Sequence, residues 1–208
     1  AYIFEKVSGG AIYDLDVNGM EFAINDSQQA KSGAVNAGFI GSAENGATLT
    51  NIRLSNVVLD GVPGAAGALA GKTDNITVTD CRAEQVTIVT AAYTGSALRI
   101  GGLLGETKDT PIENCYVSSL DLTAVQGFSS SGIGGLVGSS SGGGKINNAY
   151  VHGTMKTAFT SVGGAVGRSS TNVTKVWTMV DINSNMGQLG GIVGVMGTGA
   201  VQNTLVIG

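Results

Sequence analysis

A glycine-flanked apolar pair returns through this chain at nearly even steps, and no other feature constrains its fold as tightly. It reads Gly101-Gly102-Leu103-Leu104-Gly105, then Gly134-Gly135-Leu136-Val137-Gly138, Gly163-Gly164-Ala165-Val166-Gly167 and Gly190-Gly191-Ile192-Val193-Gly194. Two looser copies precede these, Gly38-Phe39-Ile40-Gly41 and Gly67-Ala68-Leu69-Ala70-Gly71. The last glycines stand at 41, 71, 105, 138, 167 and 194, so successive steps are 30, 34, 33, 29 and 27 residues. Such a period marks a stack of small units, each burying its apolar face against its neighbours.

A second motif follows each box. Its copies begin at Leu49, Val78, Ile112, Ile146, Val173 and Val201, with an early copy at Ile12 that has no clear box before it. Motif positions one, four and six are mostly apolar, as in Ile112, Cys115 and Val117. Residues two apart share one face of a strand, so four and six fit one inward face. Position one joins them only if the chain bends between. Position three holds Asp14, Asn51, Asp80, Asn114, Asn148, Lys175 and Asn203. Asn and Asp tolerate left-handed backbone and bond to their own main chain, so position three is the expected corner.

A third alternation comes next, as in Val86-Thr87-Ile88, Leu120-Asp121-Leu122 and Val180-Asp181-Ile182. Box, corner motif and third alternation predict three short strands per unit. Stacked parallel about 4.8 Å apart, they form an all-β parallel β-helix, right-handed by the general crossover preference. About seven coils make a single domain over 1–208: a first coil to about 41, coils ending near 71, 105, 138, 167 and 194, and a partial last coil. A sandwich of glycine-bounded strands is the alternative, and the constant phase of position three speaks against it. On this reading the box is one wall, with Gly102, Gly105, Gly135, Gly138, Gly164, Gly167, Gly191 and Gly194 allowing close packing and positive-φ corners. Pro63 and Pro111 fall in turns, and the best local helical candidate is the short stretch Ser27 to Lys31.

Composition narrows the function. Charged residues are 12% of the chain, about half the usual share. Hydrophobic residues are 42%, too many for a disordered glycine-rich segment. The net charge is −4 with no basic cluster, which excludes nucleic-acid binding. No run of 18 apolar residues exists, so membrane insertion by a helix is not expected. The chain opens at Ala1 without a basic-then-apolar leader and stops inside a repeat. It reads as a piece of a larger protein, with flanking domains as its nearest partners.

The boxes followed by Ile-x-Asn corners resemble the GLUG repeat. The stretch from Phe4 through Val17, with Gly67-Ala68-Leu69-Ala70-Gly71, is similar to the non-catalytic N-terminal region of bacterial IgA-specific zinc metallopeptidases. The resemblance covers almost the whole chain, and GLUG-like repeats also occur in large surface adhesins. It implies a β-helical accessory region, secreted or on the cell surface of a bacterium. That family's zinc motif, His-Glu-x-x-His, does not occur here, where His152 is the only histidine. No catalytic residue carries over, and no cofactor is implied.

The remaining chemistry is sparse. One His and two Cys fall short of a zinc ligand set. Cys81 and Cys115 both hold position four on successive coils. They are either a disulfide of an exported protein or two buried thiols, and in-register parallel neighbours suit disulfide geometry poorly. Gly71-Lys72-Thr73 lacks the first glycine of a phosphate loop, since position 66 is Ala66. Glycan cleavage would need clustered carboxylates, and at the corner motif only Asp14 and Asp16 stand close. The serines Ser129 to Ser131 have no His or Asp in register and read as a turn.

Position five points outward and reads Asp16, Arg53, Arg82, Tyr116, Tyr150, Trp177, Leu205. Two cations beneath three aromatics would form a vertical stripe. Arg53, Arg82, Tyr116, Tyr150 and Trp177 are therefore the candidate binding residues, for a host protein or glycan. The competing reading is that stacked aromatics only stabilise the outer sheet, or lie beneath a covering segment. A carbohydrate enzyme is the third functional class.

Overall fold

The computed structural model describes residues 2–23, 36–90, 97–124, 131–158, 161–185 and 187–208. The helical candidate Ser27 to Lys31, and Ser129 with Ser130, lie outside them. Every strand pairing among the described residues is parallel, and the strands stack as a β-solenoid.

One column shows the stacking. Phe4, Ile40, Ala70, Leu104, Val137, Val166 and Val193 are successive register partners. That is a ladder of seven rungs, unequal in completeness. The first rung opens at Tyr2–Ser8 and Ala11–Asn18, where most residues are exposed. The last ends in the two-residue strands Val201–Gln202 and Leu205–Val206. Instead of seven equivalent coils, a smaller number of filled ones stand between two incomplete end rungs.

Three walls surround the core, and they differ from the expected three in two respects. The glycine box is not a wall. It is a corner between two short strands, such as Arg99–Gly101 and Leu104–Lys108, or Gly132–Gly134 and Val137–Ser141. Conversely, the corner motif and the third alternation run together into one long strand: Thr48–Val62, Ile112–Ala124, Lys145–Thr157 and Asn172–Ser184. The corner breaks it in two at Thr77–Thr79 and Arg82–Thr90, and again in the last rung between Val201–Gln202 and Leu205–Val206.

The box glycines act through space. None of those from Gly101 to Gly194 has a positive φ. A Cβ on Gly102 would lie 2.2 Å from the Gly135 carbonyl oxygen, one on Gly135 2.3 Å from that of Gly164, and one on Gly164 2.1 Å from that of Gly191. The last glycine of each box faces the neighbouring short strand: a Cβ on Gly105 would meet Ala66 N at 2.6 Å, and one on Gly138 would meet Ile100 N at 2.4 Å. Expected corners at positive φ are thus absent from the four full boxes. What needs glycine there is the approach of backbone to backbone.

Left-handed backbone appears in the long wall. All seven position-three residues have φ between 50° and 55°, Lys175 included. The bend turns position one inward as expected, so Leu49, Val78, Ile112, Ile146 and Val173 are buried. Five residues later a second left-handed residue follows in the first four rungs: Gly19, Asn56, Gln85 and Ser119. It is an extra residue in the ladder, and the register of Ile112–Ala124 against Lys145–Thr157 shifts there, between Val117 and Leu120. The next pair runs unshifted from Lys145 against Asn172 to Thr157 against Ser184.

The interior is one apolar cluster from Met20 to Ile192. Along its second wall lies an inward column of hydroxyls: Thr73, Thr107, Ser140 and Ser169, in register and buried. They satisfy each other and the adjoining corner. Ser140 Oγ is 3.0 Å from both Ser169 Oγ and Thr171 Oγ1, and Thr73 Oγ1 is 3.0 Å from Thr110 Oγ1.

Candidate binding face

The long wall alternates in the ordinary strand manner, so its inward columns leave position five outside. The register aligns Asp16 with Arg53, Arg53 with Arg82, Arg82 with Tyr116, Tyr116 with Tyr150, Tyr150 with Trp177 and Trp177 with Leu205. All five candidate residues therefore stand in one vertical column. Tyr116 is 42% exposed and Trp177 51%. Arg53 is exposed, while Arg82 and Tyr150 are half-buried. Among the described residues the one close ring pair is Phe4 with Phe39, 5.2 Å apart and edge to face. The column aromatics are not packed on one another in that way, which weakens the view that they serve only to glue the outer sheet.

The column's charges are locally balanced. Arg53 Nε lies 3.8 Å from Asp16 Oδ1, and Arg82 Nη1 lies 3.9 Å from Glu84 Oε1. Both pairs are loose and solvent-exposed, a geometry that contributes little to stability. They line a depression of about 360 Å³ with Asn18 and Ser55.

Polar ladders flank the stripe. On one side Asn147 Nδ2 donates to Glu113 Oε1 at 2.9 Å, and Thr174 Oγ1 donates to Asn147 Oδ1 at 3.0 Å. Between that ladder and the stripe runs the corner column. There Asn51 Nδ2 donates to Asp14 Oδ1 at 2.7 Å, Asn114 Nδ2 to Asp80 Oδ1 at 3.0 Å and Asn148 Nδ2 to Asn114 Oδ1 at 2.7 Å. Asn51, Asn114 and Asn148 are thus both bends and rungs, and Asn203 is a bend of the same kind. On the other side His152 and Met179 border a hollow of about 470 Å³. Sequence reading missed this hollow. It lies two residues past Tyr150 and Trp177 on the same outward face, and that parity is the signal that could have found it.

Cys81 and Cys115 are free thiols, both buried. Cys81 Sγ donates to Thr79 O at 3.2 Å and Cys115 Sγ to Glu113 O at 3.3 Å. Burial pushes the Cys115 thiol well above its ordinary range. Neither is open to a ligand or reagent. Among the described residues no group of three or more His, Cys, Asp or Glu is placed to hold a metal ion. Among the described residues no helix is long and apolar enough to cross a membrane.

Compared with protein-family models, with curated proteins and with solved structures, the chain gives no match.

Proposed function

We propose that this chain is a non-catalytic β-solenoid scaffold whose long wall presents a partner-binding stripe at Arg53, Arg82, Tyr116, Tyr150 and Trp177. The observation that carries the reading is the unbroken register of these five side chains, with Trp177 half exposed at its aromatic end. A stacked solenoid holds such a column rigidly, so binding orders few side chains and the entropy cost is low. The resemblance to GLUG-repeat regions adds a setting: an accessory region of a secreted or surface-attached bacterial metallopeptidase, spacing the catalytic part and contacting a host protein. An adhesin segment with the same face is the alternative, and there a glycan is as natural a partner as a protein.

The double variant Tyr150→Ser, Trp177→Ser tests the face. Binding of both chains to a panel of immobilised glycoproteins and free glycans is measured, with thermal melting as the folding control. Loss of binding by a folded variant is the expected result. Unchanged binding removes the column as the site, and glycan cleavage by the wild-type chain would overturn the non-catalytic assignment.

A further inference from the structure

The column's spacing and charge name a class of ligand, on the premise that the stripe is the binding face. Rungs of a parallel sheet stand about 4.8 Å apart, so Arg53 to Trp177 spans four steps, or about 19 Å. A ligand lying along the solenoid axis keeps equivalent contacts with every rung only if its own repeat is close to one rung. An extended peptide presents same-face side chains about 6.6 Å apart and falls out of step by the second contact. A helix repeats nearer the rung height, but helices dock in apolar grooves. Here the corner column beside the aromatics is Asn114, Asn148 and Lys175, and the next column is Glu113, Asn147 and Thr174.

A chain of pyranose rings has the required form. Each ring is about as long as one rung is high, offers an apolar C–H face to an aromatic side chain and carries hydroxyls at its edge. The wall matches both properties. Tyr116, Tyr150 and Trp177 supply the platform. The Glu113–Asn147–Thr174 ladder supplies hydroxyl partners alongside. Charge selects among glycans. The aromatic rungs carry no charge in the column, and the two cationic rungs sit beside Asp16 and Glu84. Those pairs present donors and acceptors together with no net charge, which suits hydroxyls better than carboxylates or sulfates.

We propose that the long wall binds a neutral, extended, β-linked glycan lying parallel to the solenoid axis, one sugar ring per rung from Arg53 to Trp177. Titration calorimetry with β-1,4-linked glucose oligomers and β-1,4-linked N-acetylglucosamine oligomers tests it, with hyaluronan oligomers as the acidic arm. At least one neutral series should gain affinity at each added sugar up to five and then level off. Trp177→Ala should weaken the pentamer about tenfold, as expected when an exposed aromatic platform of a binding site is lost. Arg53→Ala should weaken the pentamer while leaving the trimer unchanged. Levelling at two sugars would mean that the glycan crosses the wall, and would overturn the proposal. So would tighter binding of the acidic arm, or no binding of either neutral series. If neither series binds, yet Tyr150→Ser, Trp177→Ser still abolishes binding to a protein on the panel, the face stands and the glycan falls. If a glycan binds and that double variant binds it equally well, the face itself is wrong.

Discussion

Two sides of this solenoid obtain the same parallel stacking by opposite means. On the glycine side, two short strands meet at the box, and what fits there is decided by distance between backbones. A Cβ on Gly101 or Gly134 would lie 2.1 Å from a carbonyl oxygen of its own box. On the long wall, side chains fill the core in the ordinary alternating way, and the sharp bends come from backbone dihedrals at Asp14, Asn51, Asp80, Asn114, Asn148, Lys175 and Asn203. The glycine side needs the absence of a side chain. The long wall needs a residue that accepts a left-handed φ, and leaves its outer face free to vary. Tight packing and variable surface are thereby assigned to different walls of one coil.

The sharpest break of this comparison is Gly135→Val. Its Cβ would meet the Gly164 carbonyl oxygen at 2.3 Å and Val151 Cγ1 at 2.5 Å, and the first of these is backbone that cannot yield alone. A loss of more than about 4 kcal/mol is expected, enough to unfold the chain or split the stack at that rung. Gly187→Ala, where nothing lies within 4 Å, should leave the urea midpoint unchanged. If both variants unfold at the same midpoint, close approach is not why the box is glycine.

The corner column is the corresponding weak point of the long wall. Asn148→Ala forces an ordinary residue to φ 52° and removes the amide that bonds Asn114. About 1–2 kcal/mol should be lost in urea unfolding, most of it recovered by Asn148→Gly. Recovery is the informative part. Without it, the hydrogen-bonded ladder, and not the dihedral, would dominate the corner.

Much of this contrast was legible in the residues. Position three marked the left-handed corner at every copy because Asn and Asp favour that conformation. Lys175, with no such preference, was placed there by phase alone. The outward column followed from parity within the same motif. The box was less legible, since glycine serves positive φ and close approach equally well, and a sequence does not say which. It therefore read as a wall between two corners when it is itself a corner. The second bend was invisible, because Gly19, Asn56, Gln85 and Ser119 share no residue type and the later rungs omit it. The column of Thr73, Thr107, Ser140 and Ser169 was not legible, because inward hydroxyls are recognisable only once their partners on the next rung are known.

Lys175 offers a way to sharpen the comparison by improving the protein. It holds φ 52° without the side chain that suits it, and it interrupts the Asn column between Asn148 and Asn203. Lys175→Asn should raise stability by about 1 kcal/mol, read as an upward shift of the melting temperature. A neutral result would indicate that the neighbouring rungs impose the dihedral so firmly that residue preference no longer matters.

A small effect on stability is expected of Trp177→Ser, and adjacent Val176 makes it meaningful. The two residues are consecutive, yet Val176 is fully buried and Trp177 half exposed. Val176→Ser places a hydroxyl in the core and should cost about 2 kcal/mol or more, from lost apolar burial and the desolvated oxygen. The register neighbours of Trp177 on this outer face are Tyr150 and Leu205, and Trp177→Ser should cost under about 1 kcal/mol. A far larger loss at Trp177 would show that the aromatic column is structural glue, and the stripe would lose its claim as a binding face. A small loss leaves a large exposed indole that the fold does not need, on the wall whose outer face is free to serve a partner.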